Sequence, residues 1–273
     1  MFSKLRSLIF KVDPEKAHTL AIKSLKFNLV PNVFDENKND PIFQTKIFNK
    51  DLDNPIGMAA GFDKNAEVYN SLFKLGFGFV EVGTITPLKQ YGNPKPRVFR
   101  LVEDEALINR LGFNNQGAEI VKERIKRNKK LGLLGINVGP NKESSDRLND
   151  YLIGLKTFYD DADYITINIS SPNTENLRTF HESNKLQDLL KSIMEERKNL
   201  KSNIPIAVKV SPDISEDQVN QISEILLEHE IKAIIVSNTS EATRDKVSNI
   251  QRHQKGGLSG KPIEKKSNIL INK

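Results

Sequence analysis

The stretch YITINISSPN, residues 164–173, changes from an apolar run to a cluster of polar turn residues without a spacer. A short apolar run bounded by turn residues is typical of a strand that is buried on both faces. A plain turn needs one or two such residues, whereas Asn168, Ser170, Ser171 and Asn173 follow almost in succession here. The stretch therefore predicts a buried strand whose carboxyl end takes part in binding or catalysis.

Five further apolar runs of this kind lie on either side, at PIGMAA (55–60), GFVEVGTI (78–85), LLGINVG (133–139), PIAVKVS (205–211) and AIIVSN (233–238). Helical patterns separate them, near 64–75, 116–130, 145–160, 184–201 and 215–229, and the last begins with a capping box from Ser215 to Gln218. Buried strands that alternate with amphipathic helices predict parallel β/α units. Six units in series, with no G-x-G-x-x-G after the first strand, favour an α/β fold of the (β/α)8 TIM-barrel type over a dinucleotide-binding sheet.

A closed barrel of this type needs eight strands, and the sequence shows six. Two further units need roughly 60 residues, and only a short segment follows GGLSG (256–260). We therefore expect an incomplete barrel. Either the chain is a fragment, or a partner chain completes it, or the barrel closes in another way.

Residues 1–30 predict a helical extension ahead of the barrel, which takes up residues 31–273. The first helix is basic and amphipathic, with an apolar face of Phe2, Leu5, Leu8 and Ile9 beside Lys4, Arg6 and Lys11. The second begins with Asp13 as its cap and Pro14 in its first turn, and its predicted inner face is formed by Ala17, Leu20, Ala21 and Leu25. Two interpretations remain open: a helical hairpin packed on the barrel, or a contact with one leaflet of a membrane.

The bulk composition narrows the function classes. The chain has 273 residues, a net charge of +6 and no cysteine, which excludes disulfides, thiolate zinc sites and a cysteine nucleophile. The lysines are scattered among acidic residues on every predicted helix. Such scatter is typical of solvated faces, so we expect no nucleic-acid partner. No apolar run is long enough for a transmembrane helix.

In a barrel, chemistry is located where the strands end. The six strand ends read AAGFDKN (59–65), GTITP (83–87), NVGPN (137–141), NISSPN (168–173), KVSPD (209–213) and SNTS (237–240). Any one of these could be explained by turn residues and helix caps. Because all six would meet at one mouth, a bound polar ligand explains them better.

The residue types indicate what this ligand is. Lys64 and Lys209 stand at strand ends, where a buried cation needs an anionic partner. Asparagine amides match the edges of a pyrimidine or flavin ring. The four histidines are far apart in sequence, so we expect no metal site, and no carboxylate pair suits a glycosidase. A hydroxyl is then the only plausible base, which predicts that a cofactor carries out the difficult chemistry.

These motifs resemble the dihydroorotate dehydrogenases, specifically the membrane-associated, quinone-using class 2 enzymes. The matching stretches run in order from residue 57 to 263: GMAAGFDKNAE, GFGFVEVGTITPLKQYGNPKPRVFRL, LINRLGFNNQG, GINVGPNK, ITINISSPNTENLR, IAVKVSPD, SNTS and GGLSGKPI. The helices around DPEKAH (13–18) match as well. The absence of cysteine also favours class 2, because the resemblance implies a cysteine at the position of the base in class 1 enzymes.

The resemblance implies FMN-dependent oxidation of dihydroorotate to orotate in pyrimidine biosynthesis, with a ubiquinone-type acceptor and peripheral attachment to the inner or cytoplasmic membrane face. Ser171 is implied as the catalytic base. The implied FMN contacts are Ala60, Gly61, Phe62, Asp63, Lys64, Thr84, Asn137, Asn168, Lys209, Ser237 and Gly260. The implied substrate contacts are Lys64, Asn109, Arg110, Leu111, Gly112, Phe113, Asn168, Asn173, Asn238 and Thr239. His18 and Arg100 match positions that line the quinone tunnel.

Two departures from the family pattern keep other functions open. Ser237 stands where the family commonly has threonine, which preserves the hydroxyl, and the segment after Gly260 is short. One alternative is a non-catalytic or FMN-deficient remnant that keeps the orotate site. Another is a basic adaptor for RNA or a membrane surface, supported by charge alone. A flavin spectrum separates the enzyme from both.

Overall fold

The computed structural model describes residue 6 and residues 9–29, 40–242, 244–245 and 247–273. Its central element is a six-stranded parallel sheet of β3 (Gly57–Met58), β4 (Phe79–Ile85), β7 (Leu133–Val138), β8 (Tyr164–Asn168), β9 (Ile206–Lys209) and β10 (Ala233–Ile235). Across the sheet the order is β10-β9-β8-β7-β4-β3. All six lie where the sequence predicts strands, which confirms the expected barrel-type α/β fold with six β/α units in the described residues.

Helices follow the strands as predicted. They are α2 (Tyr69–Lys74), α3 (Ala118–Arg127), α4 (Arg147–Phe158), α5 (Ser183–Asn199) and α6 (Glu216–Glu228). The capping box is present at α6, where the Ser215 hydroxyl accepts from the backbone of Gln218 and the Gln218 side chain accepts in return. Every residue of β7 and β8 is buried, because helices cover one face of the sheet and the barrel interior covers the other.

Two small sheets were not predicted from the sequence. The hairpin of β1 (Thr45–Ile47) and β2 (Lys50–Leu52) packs Leu52 against Leu133, Tyr164 and Ala207 at the amino ends of the parallel strands. A second sheet joins β5 (Val98–Leu101), β6 (Ala106–Asn109) and β11 (Gly257–Gly260) in antiparallel pairs. A last helix, α7 (Lys261–Ile271), follows β11 directly.

The second predicted N-terminal helix is α1 (Pro14–Lys26), with Asp13 accepting from the backbone N–H of Lys16. Its predicted inner face is partly wrong: Leu25 is buried, but Leu20 and Ala21 are exposed. The inner stripe instead runs through His18, Ile22 and Leu25, because the ring of His18 docks edge-on against Phe62 at 5.3 Å. Of the first predicted helix, Phe2, Leu5 and Leu8 lie outside the described residues.

α1 is held to the barrel by an ion pair. The Arg97 guanidinium donates to both carboxylate oxygens of Glu15, at 2.6 and 3.1 Å, and is almost fully buried. The Arg97 hydrogen bonds lower the pKa of Glu15 despite the burial that opposes this shift. Among the described residues, none of the helices combines the length and apolar character that a membrane crossing requires.

Candidate active site

One cavity of about 630 Å³ opens at the carboxyl ends of the parallel strands. Most of the residues predicted from the strand ends line this cavity together. This is expected of a barrel, in which the loops after the strands form one shared site. The predicted residues in its lining are His18, Ala60, Gly61, Phe62, Asp63, Lys64, Thr84, Arg100, Asn109, Leu111, Gly112, Phe113, Asn168, Ser171, Asn173, Lys209, Ser237, Asn238 and Thr239.

Three predicted residues lie outside this lining. Asn137 is fully buried behind it, bonded to Thr84 and Asn168. The Arg110 side chain turns away, because its guanidinium stacks on Phe99 and donates to carbonyl groups and to a glutamine on the far side. Gly260 ends β11, where it pairs with Ala106. These positions remain predictions as ligand contacts.

The loop after β3 is shaped by Asp63. Its carboxylate accepts from the backbone N–H groups of Asn65, Glu67 and Val68 at 3.3, 2.8 and 2.7 Å. These bonds keep residues 64–68 out of the helix, so α2 is shorter than the predicted 64–75. Burial raises the pKa of Asp63, and the three backbone donors oppose that shift.

Lys64 extends from this loop into the cavity. Its ammonium donates to the carbonyl of Gly61 at 2.6 Å. Burial lowers the pKa of Lys64 to about 8, and the carboxylate of Glu15 counteracts part of the shift. Lys64 can therefore gain or lose a proton close to neutral pH, and an anionic ligand would favour its charged form.

Lys209 ends β9 beside Asn168, its partner in the β8–β9 register. The residue is only 9% exposed and lines the cavity. No described side chain or carbonyl forms an ion pair or hydrogen bond with its ammonium. A buried cation without a counter-charge is costly, so this lysine is arranged for an anionic or electron-rich ligand.

Ser171 is buried and faces the cavity. Its hydroxyl oxygen accepts from the backbone N–H of Asn173 at 3.2 Å, and no described group accepts its proton. Two more hydroxyl groups, on Thr174 and on Thr239 of the loop after β10, are buried without a hydrogen-bond partner in the described structure. Unpaired buried hydroxyls are rare, and they indicate groups reserved for a ligand, a water or a proton.

The loops after β8, β9 and β10 are fastened together by Arg178. Its guanidinium donates to the carbonyls of Ser170 and Thr239, at 3.2 and 3.0 Å, and to the Asp213 carboxylate at 3.1 Å. Asp213 also binds Lys266 of α7 at 2.6 Å. The backbone on each side of the Ser171 loop is thus fixed relative to Asn238 and Thr239 across the cavity.

The far side of the cavity borders α1. His18 donates through Nε2 to the carbonyl of Phe62 at 2.7 Å, and burial lowers the pKa of His18, helped by the positive charge of Lys64. Arg100 donates to the carbonyl of Val12 at 2.6 Å and lies over the ring of Phe10. The two residues predicted for a quinone therefore lie where the N-terminal extension meets the barrel.

The sequence reading missed lining residues from the antiparallel sheet, namely Val98, Leu107 and Ser259. A signal was present: VFRL and ALIN are short β-prone runs separated by the turn-like VEDE (102–105). Neither run is predicted as a strand in the sequence analysis. The third strand, β11, pairs with β6 from about 150 residues away, which local pattern cannot reveal.

A family model described as dihydroorotate dehydrogenase matches residues 42–273. The chain belongs to the dihydroorotate dehydrogenase family. Two relatives are named dihydroorotate dehydrogenase (quinone). That of Agrobacterium fabrum is 45% identical over 278 residues, which cover 100% of this chain and 76% of the relative. That of Bartonella tribocorum is 45% identical over 274 residues, which cover 98% and 75%.

Solved structures agree with the family. The ligand-free DHODH of Eimeria tenella superposes with a TM-score of 0.90 at 35% identity, covering 95% of this chain and 78% of that one. The same enzyme in complex with ferulenol gives a TM-score of 0.87 at 34% identity, covering 95% and 77%. The resemblance seen in the motifs is thereby confirmed.

Because the Lys209 ammonium has no partner in the described structure, we expect its removal to affect stability unusually. Lys209→Met should leave the free energy of unfolding of the ligand-free protein unchanged or slightly raised, because it replaces an unpartnered charge on the cavity wall with an apolar side chain of similar length. The matched control is Lys130→Met. Lys130 is one of two lysines that pair with the buried Asp163, at 2.8 Å, the other being Lys50, so its loss should destabilise the protein modestly. Urea denaturation of both variants measures the difference, and destabilisation by Lys209→Met would show that Lys209 already has a partner.

Proposed function

We propose that this protein oxidises dihydroorotate to orotate with bound FMN and passes the electrons to a quinone. The observation that carries the proposal is the unpartnered Lys209, which faces the same cavity as Lys64 and Ser171. Family membership supports the reaction, since the relatives are named for it. The cavity supplies cations for anionic ligands and a hydroxyl for a proton.

The residues present fit a flavin. Gly61 has a φ of 111°, which glycine tolerates best, and a Cβ built there would meet no atom within 4 Å. This open space beside the backbone would admit a flat ring. Ser237 offers a polar edge and Lys209 a positive charge. Asn168 lines the same wall, with its amide already held by hydrogen bonds to the residues beneath it. FMN would be held by these groups together with Ala60 and Thr84.

The chain's own residues account for the proton. When bound, FMN would accept the hydride that leaves the substrate. The proton on the neighbouring carbon needs a positioned acceptor, and the oxygen of Ser171 faces the cavity. A serine hydroxyl is a weak base in water, so its own proton must pass to another group. That proton would finally have to reach a water, because a second hydroxyl, such as that of buried Thr174, can relay a proton but cannot keep it.

Binding of the substrate would use groups on the opposite wall. Lys64 would pair with the substrate carboxylate. Asn109, Asn173 and Asn238 present amides that suit the ring's imide edge. The unpaired Thr239 hydroxyl would gain a partner. Asn173 donates weakly to Asn109, at 3.4 Å, so both side chains can turn toward a ligand at little cost.

The quinone and the membrane belong to the N-terminal extension in this proposal. His18 and Arg100 stand where α1 meets the barrel. Leu20, Phe27 and Leu29, on and just after α1, are 56, 68 and 71% exposed. Large exposed apolar side chains grouped in one short segment suit insertion into one leaflet. The protein would thus bind the membrane peripherally and receive the quinone there.

The base is tested by Ser171→Ala, which should slow flavin reduction by dihydroorotate about 10²–10⁴-fold. Reoxidation by quinone should be almost unchanged, because that step removes no proton from carbon. Ser211→Ala is the matched control, since Ser211 accepts from a backbone N–H two residues on, at 3.1 Å, just as Ser171 does, but does not line the cavity. Stopped-flow absorbance measures both steps, and normal flavin reduction in Ser171→Ala would place the base elsewhere.

The lowered pKa of Lys64 predicts a pH dependence. The charged form binds the anionic substrate and is lost as the pH rises through about 8. Above that pH, kcat/KM for dihydroorotate should fall by up to about tenfold per pH unit. In Lys64→Arg the guanidinium stays charged, so the value should be lower but flat over the same window. The same fall in Lys64→Arg would assign the titration to another group.

The membrane contact is tested by introducing charge at the exposed apolar residues. Leu20→Glu combined with Phe27→Glu should weaken binding to anionic phospholipid vesicles by about tenfold or more, while dihydroorotate still reduces the flavin. Ile250→Glu is the control, because Ile250 is 88% exposed but lies far from α1 in the chain. Equal vesicle binding in a flotation assay by the unsubstituted chain, the double variant and Ile250→Glu would reject the contact.

A further inference from the structure

Glu81 is a buried carboxylate in the middle of β4, only 3% exposed. Oε1 accepts from Asn137 Nδ2 at 2.8 Å. Oε2 accepts from the hydroxyls of Tyr164 and Thr166 at 2.9 and 2.8 Å. No lysine or arginine in the described structure pairs with it. The roles assigned above to cavity residues do not use this group.

The strand register explains how the Tyr164 hydroxyl reaches Glu81. Glu81 pairs with Gly135 across β4–β7, and Gly135 pairs with Tyr164 across β7–β8. A Cβ on Gly135 would lie 2.1 Å from the Tyr164 ring, so the glycine lets the phenol cross β7 to the carboxylate. Burial, together with Glu81, keeps the pKa of Tyr164 well above its usual range, so the phenol remains a proton donor.

Asn137 links Glu81 to the floor of the cavity. Its Nδ2 donates to Glu81, and its Oδ1 accepts from the Thr84 hydroxyl at 2.6 Å and from Asn168 Nδ2 at 3.2 Å. Thr84 is aimed at Asn137 by an irregularity in the β4–β7 pairing between Val82 and Ile85. The amide is thus bonded at both ends.

The hydrogen bonds keep the same donor-to-acceptor direction as far as the opposite wall of the cavity. Asn168 Nδ2 also donates to Thr84 Oγ1 at 2.9 Å, and Asn168 Oδ1 accepts from the Ser170 hydroxyl at 2.9 Å. Ser170 in turn accepts from Asn238 Nδ2 at 2.9 Å. Each link donates toward the next, and the chain of hydrogen bonds ends at Glu81.

We propose that Glu81 is a positioning residue that fixes the donor and acceptor orientation of Asn137, Thr84 and Asn168. A carboxylate can only accept. If the Asn137 amide turned over, its oxygen would face Glu81 and its NH2 would face the NH2 of Asn168, so two bonds would become repulsive. Hydroxyls and amides alone permit either direction, because a hydroxyl can reverse its role.

This orientation reaches the ligand because Asn168 and Asn238 line the cavity. Because the direction of the hydrogen bonds is fixed, Asn168 donates both N–H groups to the floor of the cavity and accepts from Ser170 through its oxygen. The cavity then offers one pattern of polar groups rather than a mixture. The inference rests on the proposed function in one respect only, namely that the ligand read by this floor is FMN.

The test compares two substitutions of Glu81 with a control. Glu81→Met removes the acceptor at similar size, and FMN should bind about tenfold or more weakly, the worth of one oriented hydrogen bond. Glu81→Gln should bind within about threefold of the unsubstituted chain. Its oxygen can accept from Asn137 while its NH2 donates to the two hydroxyls.

Thr166→Val is the control, because it removes one donor from Oε2 of the same carboxylate and leaves the Asn137 bond intact. It should bind FMN within about threefold of the unsubstituted chain. Flavin fluorescence quenching gives the affinities. If Glu81→Met does not fold, Glu81→Asp replaces it, since the shorter side chain withdraws the charge from Asn137 and should also weaken binding.

A second readout needs no flavin. The side-chain NH2 of Asn137, assigned by its loss in Asn137→Asp, should give one slowly exchanging pair of NMR signals in the unsubstituted chain, Glu81→Gln and Thr166→Val. In Glu81→Met, or in Glu81→Asp, it should exchange faster or split into two sets. Unchanged FMN affinity together with one protected pair in these variants would overturn the inference. Failure of the unsubstituted chain to bind FMN would reject the proposed function, while the amide signals would still decide the role of Glu81.

Discussion

Buried polar groups require partners, and a parallel sheet places many such groups at the same edge. In the described part of the chain, six parallel strands turn their carboxyl ends toward one cavity. The interior groups below the cavity satisfy one another, with Glu81 receiving three hydrogen bonds. This internally satisfied floor is what allows the cavity above it to keep groups without partners.

The unpartnered groups are the functional part of the arrangement. Lys209, Ser171, Thr174 and Thr239 each retain a charge, a proton or a hydroxyl that no described residue uses. Such groups reduce stability in the ligand-free protein. They remain in place because the surrounding backbone is rigid, notably through Arg178, which ties three strand-end loops together. Rigid support and unmet bonding capacity together define a preorganised site.

The sequence predicted the parts of the molecule that depend on local pattern. Six apolar runs marked the parallel strands, and their polar ends marked the cavity. What it missed depends on contacts between distant residues. The sheet of β5, β6 and β11 joins segments about 150 residues apart, and Arg110 turns away because Phe99 and Gln254 hold it. Glu81 looked like one polar residue in an apolar run, and only the register with Gly135 and Tyr164 shows its bonds.

The central claim is that the cavity carries out flavin-dependent oxidation of dihydroorotate. Its most direct measurement is an anaerobic titration of the purified, FMN-loaded protein with dihydroorotate, followed by addition of a quinone. The flavin absorption band should disappear with about one equivalent of dihydroorotate per bound flavin and return when quinone is added. A protein that binds FMN and orotate but keeps its flavin band throughout the titration would be a non-catalytic relative, and the account given for Ser171 would be wrong.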